Sequence, residues 1–290
     1  MKVKKGIILS GGKGTRLYPA TLSTSKQLLP IYDKPLIYYS ISVLMLANIR
    51  EILIITTPHD LKKYKKLLKN GSQWGLKISY AIQKQPKGLA QALIIGEKFL
   101  NKEPCALILG DNIFYGNDLT EILMDASKQT DKNSVIFAYY VKDPRRYGIV
   151  EFDKNLNAKT IKEKPKFPKS NYAITGLYFY DKEAPSFAKK IKLSKRGELE
   201  ITDLNNIYLK NKNLKVKILS RGIAWFDTGT PDAMLDASNY IYNIEKRQGL
   251  KISCPEEIAY NKRWISKKNL NKLIKLYASS DYINYLKQVL

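Results

Sequence analysis

Histidine is almost absent from this sequence: His59 is the only one among 290 residues. One histidine supplies neither a Ser-His-Asp triad nor a His-built zinc site. His59 lies in Thr57-Pro58-His59-Asp60, at an expected helix N-terminus, and reads as structural. Cysteine is nearly as scarce. Cys105 and Cys254 make no disulfide framework and no metal-ligand spacing, as expected of a reduced, cytoplasmic protein. Cys105 precedes an apolar run and is expected to be buried and inert. No apolar stretch approaches 18 residues, so no membrane span is expected. Gly6-Ile7-Ile8-Leu9-Ser10 is too short for the apolar core of a signal peptide. Internal repeats and low-complexity segments are missing too.

Acidic residues are outnumbered. Fifty Lys and Arg against 26 Asp and Glu leave a net charge of +24. Such a charge suits a nucleic-acid binder. However, only eight of the fifty are Arg, the residue that base-edge readout favours. The lysines are also spread along the chain, not gathered in a block. The charge therefore reads as a solvated surface that attracts anionic small molecules, with no nucleic-acid partner expected.

What is abundant is apolar and ordered: 44% of residues are hydrophobic. Short β-rich runs at 6–9, 52–55, 78–81, 106–109 and 135–138 alternate with helical patterns around 35–47, 60–70, 89–100 and 118–128. This alternation predicts an α/β fold with a mostly parallel central sheet covered by helices on both faces. Strands are expected at 147–152, 157–163, 174–180, 215–219 and about 223–227. From about 231 the pattern is helical, with one helix starting near Lys267 and closing near Tyr277-Ala278. The division expected is an α/β core over 1–235 and a helical C-terminal appendage over 236–290. No linker separates them, so they are expected to form one structural unit.

In open α/β sheets ligands bind beyond the carboxyl ends of the strands. Three suggestive segments fall there: Ser10-Gly11-Gly12-Lys13-Gly14-Thr15-Arg16, Gly110-Asp111-Asn112 and Trp225-Phe226-Asp227-Thr228-Gly229. The glycines permit positive φ and close approach of backbone N–H groups to phosphate, and Arg16 adds a fork of donors. The turn is not a Walker A loop, because no Gly-Lys-Ser/Thr ends it, and not a dinucleotide fingerprint, because Leu17 stands where the third Gly would be. Asp111 at a strand end suits Mg²⁺, a hard cation that accepts few carboxylates alongside substrate phosphates. Asp227 offers a second carboxylate.

The run from Gly11 through Thr15-Arg16-Leu17-Tyr18-Pro19-Ala20-Thr21, then Ser25-Lys26-Gln27-Leu28-Leu29-Pro30 and Lys34-Pro35-Leu36-Ile37, resembles the signature of sugar-1-phosphate nucleotidyltransferases. Gly88-Leu89-Ala90-Gln91-Ala92 resembles the thymidylyltransferase branch of that family in particular. Tyr147-Gly148-Ile149-Val150-Glu151, Glu163-Lys164-Pro165 and Asn171 through Tyr178 complete the pattern. The resemblance runs from about residue 4 to residue 263. It implies a Rossmann-like nucleotidyltransferase core and transfer of a thymidylyl group from dTTP to α-D-glucose 1-phosphate with Mg²⁺, the first step of dTDP-sugar synthesis such as that of dTDP-rhamnose. It also implies a homotetramer with product feedback at a second nucleotide site between subunits.

Carried over position by position, it implies Arg16, Lys26 and Lys164 as catalytic cations, and Asp111 and Asp227 as metal ligands. Leu9, Gly11, Gly12, Gly14, Thr15, Gln27, Gln83, Pro86, Gly88, Asn112, Gly148, Glu163 and Ile174 would contact substrates. Tyr115, Gly116, Asp118, Arg221 and Glu257 would belong to the regulatory site. Asn117 departs from the family, many members of which have His there. The alternative enzyme is a uridylyltransferase using UTP, since a Gln83 pocket suits either pyrimidine. A methyl-sized difference gives only about 1–3 kcal/mol of discrimination, so partial use of UTP is expected. A non-enzymatic nucleotide-sugar binder is the remaining class. Arg16, Lys26 and both aspartates, which such a binder would be expected to lose, are all present.

Overall fold

The computed structural model describes residues 3–12, 14–131, 133–277 and 279–290. Lys13 of the glycine-rich turn and Ala278 lie outside them. The first half runs β1 (Lys5–Ser10), a small hairpin β2 (Pro30–Ile31) and β3 (Lys34–Pro35), α1 (Ile37–Leu46), β4 (Glu51–Thr56), α2 (Leu61–Leu68) and β5 (Lys77–Ile82). The single helix expected over 89–100 is two pieces, α3 (Gln91–Ile95) and α4 (Glu97–Leu100). The break falls at Gly96, the residue of poorest helix propensity in the segment. Next come β6 (Cys105–Leu109), β7 (Asn112–Gly116), α5 (Leu119–Gln129) and β8 (Ser134–Tyr140).

The second half adds β9 (Gly148–Phe152), β10 (Ala158–Glu163), β11 (Tyr172–Tyr180), α6 (Ala184–Ala188), α7 (Ile201–Lys210), β12 (Leu214–Ile218) and β13 (Ile223–Asp227). Four helices close the chain: α8 (Pro231–Gln248), α9 (Pro255–Asn261), α10 (Lys267–Leu276) and α11 (Asp281–Gln288). The hairpin β2–β3, the strand β7 and the helices α6 and α7 are additions to the elements expected from the sequence.

Strands β5, β4, β1 and β6 lie side by side and parallel, so their carboxyl ends open on one edge. Beyond β6 the sheet turns antiparallel. There β11 pairs with β6, β8 and β9, and β9 pairs with β10. Strand β12 rejoins parallel to β8. The sheet is thus α/β with a parallel centre and a mixed flank. Strands β7 and β13 form a separate antiparallel ribbon, in which Asp227 stands opposite Asn112.

Alternation along β1 splits the core by face. Ile8 joins Ile54, Ile108, Leu44 and Leu123 on one side, whereas Ile7 and Leu9 join Leu53, Leu107, Leu93 and Tyr208 on the other. Leu270, Leu273, Ile274, Ile283 and Leu286 of the last helices belong to the same cluster as Ile8. The expected division between residues 235 and 236 falls inside α8, which runs through it unbroken.

Candidate functional site

Strand β1 is buried throughout, and its end delivers the glycine-rich turn to the open edge of the sheet. Gly12 and Gly14 have φ of 103° and 60°, the left-handed region expected of them. Thr15–Leu17 forms one 3₁₀ turn, with Leu17 buried as its anchor and Arg16 exposed. Gln83, at the end of β5, is buried directly beside Gly11: a Cβ on Gly11 would lie 2.4 Å from Gln83 Oε1. Its Nε2 donates to Gln91 Oε1 at 2.7 Å, and Lys87 N donates to the same oxygen at 3.1 Å. The Gln83 amide is therefore held by a second amide, that of Gln91, which was not among the expected site residues. Thr15 and Pro86 are exposed and Leu9 buried at the rim of this region.

A second 3₁₀ turn, Lys26–Leu28, carries the second cation. Lys26 Nζ donates to Asp111 Oδ2. Gln27 turns inward and accepts from the Ser25 hydroxyl. Ser25 N donates to Asp60 Oδ1 at 3.3 Å; Asp60 also accepts from Thr57 Oγ1 at 3.0 Å and Lys63 Nζ at 3.1 Å. A His59 ring nitrogen lies 3.1 Å from the Asp60 carboxylate, so the lone histidine serves this structural knot, as expected.

The two aspartates meet because of the ribbon. Asp111 precedes β7 and Asp227 ends β13, its partner strand. Thr228 fixes the junction: its N and Oγ1 donate to Asp111 O at 3.2 and 2.8 Å. Asn112 Nδ2 donates to Asp111 Oδ1 at 3.1 Å. Burial and the neighbouring Asp111 charge push the Asp227 carboxyl above its ordinary value, against the pull of Lys26, Arg146 and Arg16. Two hard oxygen donors with like charge at one strand edge fit a divalent cation such as Mg²⁺. Among the described residues no group of three or more His, Cys, Asp or Glu is arranged to hold a metal ion. A cation here would draw its remaining ligands from substrate phosphate and water, as Mg²⁺ does.

Beside the aspartates, a cavity of about 220 Å³ is lined by Asn112, Gly148, Glu163, Lys164, Ile174 and Asp227, all expected site residues. Tyr147 and Trp225, from the flanking motifs, also line it, as do Arg146, Arg196, Glu200 and Thr202, which the sequence did not mark. Glu163 Oε2 accepts from Thr202 Oγ1 at 2.6 Å, and its Oε1 accepts from Arg196 Nη2 at 3.2 Å. Lys164 is exposed at the mouth, with N donating to Tyr147 O at 3.0 Å. Asn112 Oδ1 accepts from Trp225 Nε1 at 2.7 Å and from Gly176 N at 3.1 Å, which ties this wall to the aspartates. A larger cavity of about 630 Å³, among Leu156, Lys212, Leu214 and Lys217, is lined by no carboxylate.

Gly88 is one of the expected substrate contacts. Its φ is 93°, and a Cβ there would lie 2.4 Å from Leu199 O and 2.6 Å from Leu199 N. The glycine is required by the chain crossing at Leu199. Of the expected regulatory residues, Tyr115, Gly116 and Asp118 lie at or just beyond the end of β7, and Arg221 lies in the turn leading into β13. Glu257 sits on α9 beside Tyr285, and among the described residues no hydrogen bond links it to that ribbon end.

The sequence model of the nucleotidyl transferase family matches residues 5–243. A glucose-1-phosphate thymidylyltransferase of Neisseria meningitidis is 53% identical over 286 residues, covering 99% of each chain. One from Mycobacterium tuberculosis is 50% identical over the same length, again covering 99% of each chain. Among solved structures, a Bacillus anthracis protein assigned as a glucose-1-phosphate thymidylyltransferase superposes with a TM-score of 0.75 at 38% identity. That match covers 81% of this chain and 94% of that one. A UDP-glucose pyrophosphorylase bound to UDP-glucose superposes at 0.74 with 28% identity, covering 83% and 99%.

Proposed function

This chain belongs to the nucleotidyl transferase family, and from that premise we propose that it transfers a thymidylyl group from dTTP to α-D-glucose 1-phosphate, giving dTDP-glucose and pyrophosphate. The observation that carries the reading is the meeting of Lys26, Asp111 and Asp227 at the carboxyl edge of the sheet, beside the Glu163–Lys164 cavity.

A phosphate oxygen of the sugar phosphate attacks the α-phosphorus of dTTP. The bond from that phosphorus to the bridging oxygen breaks, and pyrophosphate leaves with the electron pair. The nucleophile is already an anion, so no general base is needed. Catalysis then consists of positioning and charge neutralisation. Arg16, exposed at the glycine-rich turn, and Lys26 face the triphosphate end. Lys164 meets the sugar phosphate, and Glu163 accepts from sugar hydroxyls. Gln83 presents its amide to the pyrimidine. Asp111 and Asp227 would hold Mg²⁺, which when bound neutralises phosphate charge and polarises the α-phosphoryl group.

We further propose a homotetramer of the cytoplasm, with a second nucleotide site involving Tyr115, Gly116, Asp118, Arg221 and Glu257. In such an assembly Leu235 of α8, 60% exposed in a single chain, would be available for a subunit contact. The deciding experiment is pyrophosphate release with Mg²⁺ and α-D-glucose 1-phosphate, comparing dTTP, UTP, ATP, CTP and GTP. Strong release with dTTP and weaker release with UTP is the expected result. Preference for UTP would move the substrate to the uridylyl branch. Silence from folded protein with every nucleotide would overturn the reading.

A further inference from the structure

The segment Ser194–Glu200 touches both halves of the site. Its Leu199 is locked to the loop 84–90 that follows Gln83, the base loop of the proposed nucleotide subsite, by two backbone hydrogen bonds: Leu199 N donates to Lys87 O at 2.8 Å, and Ala90 N donates to Leu199 O at 3.2 Å. Between these bonds sits Gly88, whose missing Cβ makes room for the Leu199 backbone. Lys87 N in turn donates to Gln91 Oε1, the oxygen that holds the Gln83 amide. One residue on, the buried Glu200 faces the hexose side. Its carboxylate accepts from Arg196 Nη2 at 2.8 and 2.9 Å, from Arg196 Nε at 3.2 Å and from Ser194 Oγ at 2.7 Å. The same Arg196 Nη2 reaches Glu163 Oε1.

We propose that Ser194–Glu200 is a strap coupling the nucleotide subsite to the hexose subsite, with Glu200 a positioning residue that acts on Glu163 through Arg196. The claim rests on the subsite assignments made under Proposed function. A planar guanidinium gripped through Nε and Nη2 by one carboxylate has a defined direction, and its further contacts, with Glu163 at 3.2 Å and Glu198 at 3.5 Å, inherit it. Leu199 and Glu200 are adjacent, so displacement of the base loop at Gly88 shifts the backbone that bears Glu200. Linkage makes the effect reciprocal: what the nucleotide side does to the hexose side, the hexose side does in return.

Two variants and one exchange measurement test it. Glu200→Gln keeps the size and removes the charge that grips Arg196. It is expected to raise KM for glucose 1-phosphate about tenfold while kcat stays within threefold, measured at 25 °C where circular dichroism shows the variant still folded. Gly88→Ala, made in the base loop, is expected to weaken dTTP binding by calorimetry and also to raise KM for glucose 1-phosphate. The double variant should lose less than the product of the two single effects. Hydrogen exchange supplies a readout without turnover: dTTP should protect residues 194–200 in the wild type and not in Gly88→Ala. A sugar-phosphate KM within twofold of wild type in either single variant, fully multiplicative effects, or no dTTP-dependent protection of the strap would overturn the coupling. A wild type that shows the protection but releases no pyrophosphate would sink the proposed reaction while leaving the strap in place.

Discussion

At the scale of single residues, the site is an arrangement of charges that need each other. Lys26 neutralises Asp111 and stands near Asp227, whose carboxyl is pushed up by burial and by Asp111. Lys26→Ala removes a cation from the expected path of the leaving pyrophosphate. Losing one such preorganised partner costs about 10²–10³ in turnover. Pyrophosphate release by a variant with an unchanged circular dichroism spectrum checks this, and near-normal turnover would refute the role. Asp227→Asn keeps the shape of the ribbon end and removes one of two hard donors. The half-saturating Mg²⁺ concentration should rise at least tenfold, read from activity and, separately, from displacement of bound Mn²⁺ by Mg²⁺. An unchanged titration would remove Asp227 from the metal site.

At the scale of elements, the turn that carries Lys26 is fixed from outside by Asp60, at the start of α2. Burial alone would raise the Asp60 carboxyl, but hydrogen bonds from Lys63, Thr57 and His59 outweigh it and hold it below its ordinary value. A carboxylate whose pKa is lowered by folding stabilises the protein at pH values above its unfolded pKa. That contribution disappears as pH falls through the ordinary and then the folded value. Asp60→Asn should therefore destabilise the protein by about 1–3 kcal/mol at pH 7, with the gap to wild type closing below about pH 3.9. Urea unfolding across that range decides it; a gap that persists at low pH would mean that the carboxylate's charge is not what matters.

The same scale shows what local sequence can carry. Apolar runs such as Ile52–Ile55 announce strands because a buried strand needs only its own residues to be recognised. The β7 run, Asn112 to Gly116, follows Gly110-Asp111 directly and reads as a turn continuing. Its pairing with β13 joins residues more than a hundred positions apart, which no local pattern encodes. Helix α7 did leave a signal, the spacing of Ile201, Leu204 and Tyr208, all buried on one face. Glycine-rich and aspartate motifs were legible because their chemistry is local. Arg196 and Thr202 were not, since they meet Glu163 only after β10 and α7 pack together.

At the scale of the whole molecule, the C-terminal helices are part of the core and not a separate body. Leu286, in the last helix, is fully buried in the cluster that also contains Ile8 of the central strand. A buried ion cluster reinforces the joint: Glu245 of α8 accepts from Lys34 at 3.1 Å, from Lys251 at 2.7 Å and from Ile252 N at 2.8 Å. The two possibilities differ in calorimetry. If α9–α11 were an independent appendage, Leu286→Ala would split off or shift a small transition and leave the main one unmoved. With a shared core, the variant should show one transition, destabilised by about 2–5 kcal/mol. At about 2–4 °C per kcal/mol, its melting temperature then falls by roughly 4–20 °C. Leu286 does not line the cavity beside the aspartates, so turnover per folded molecule should stay within twofold at 25 °C. A single shifted transition with preserved turnover would establish that the tail stabilises the enzyme without shaping its site.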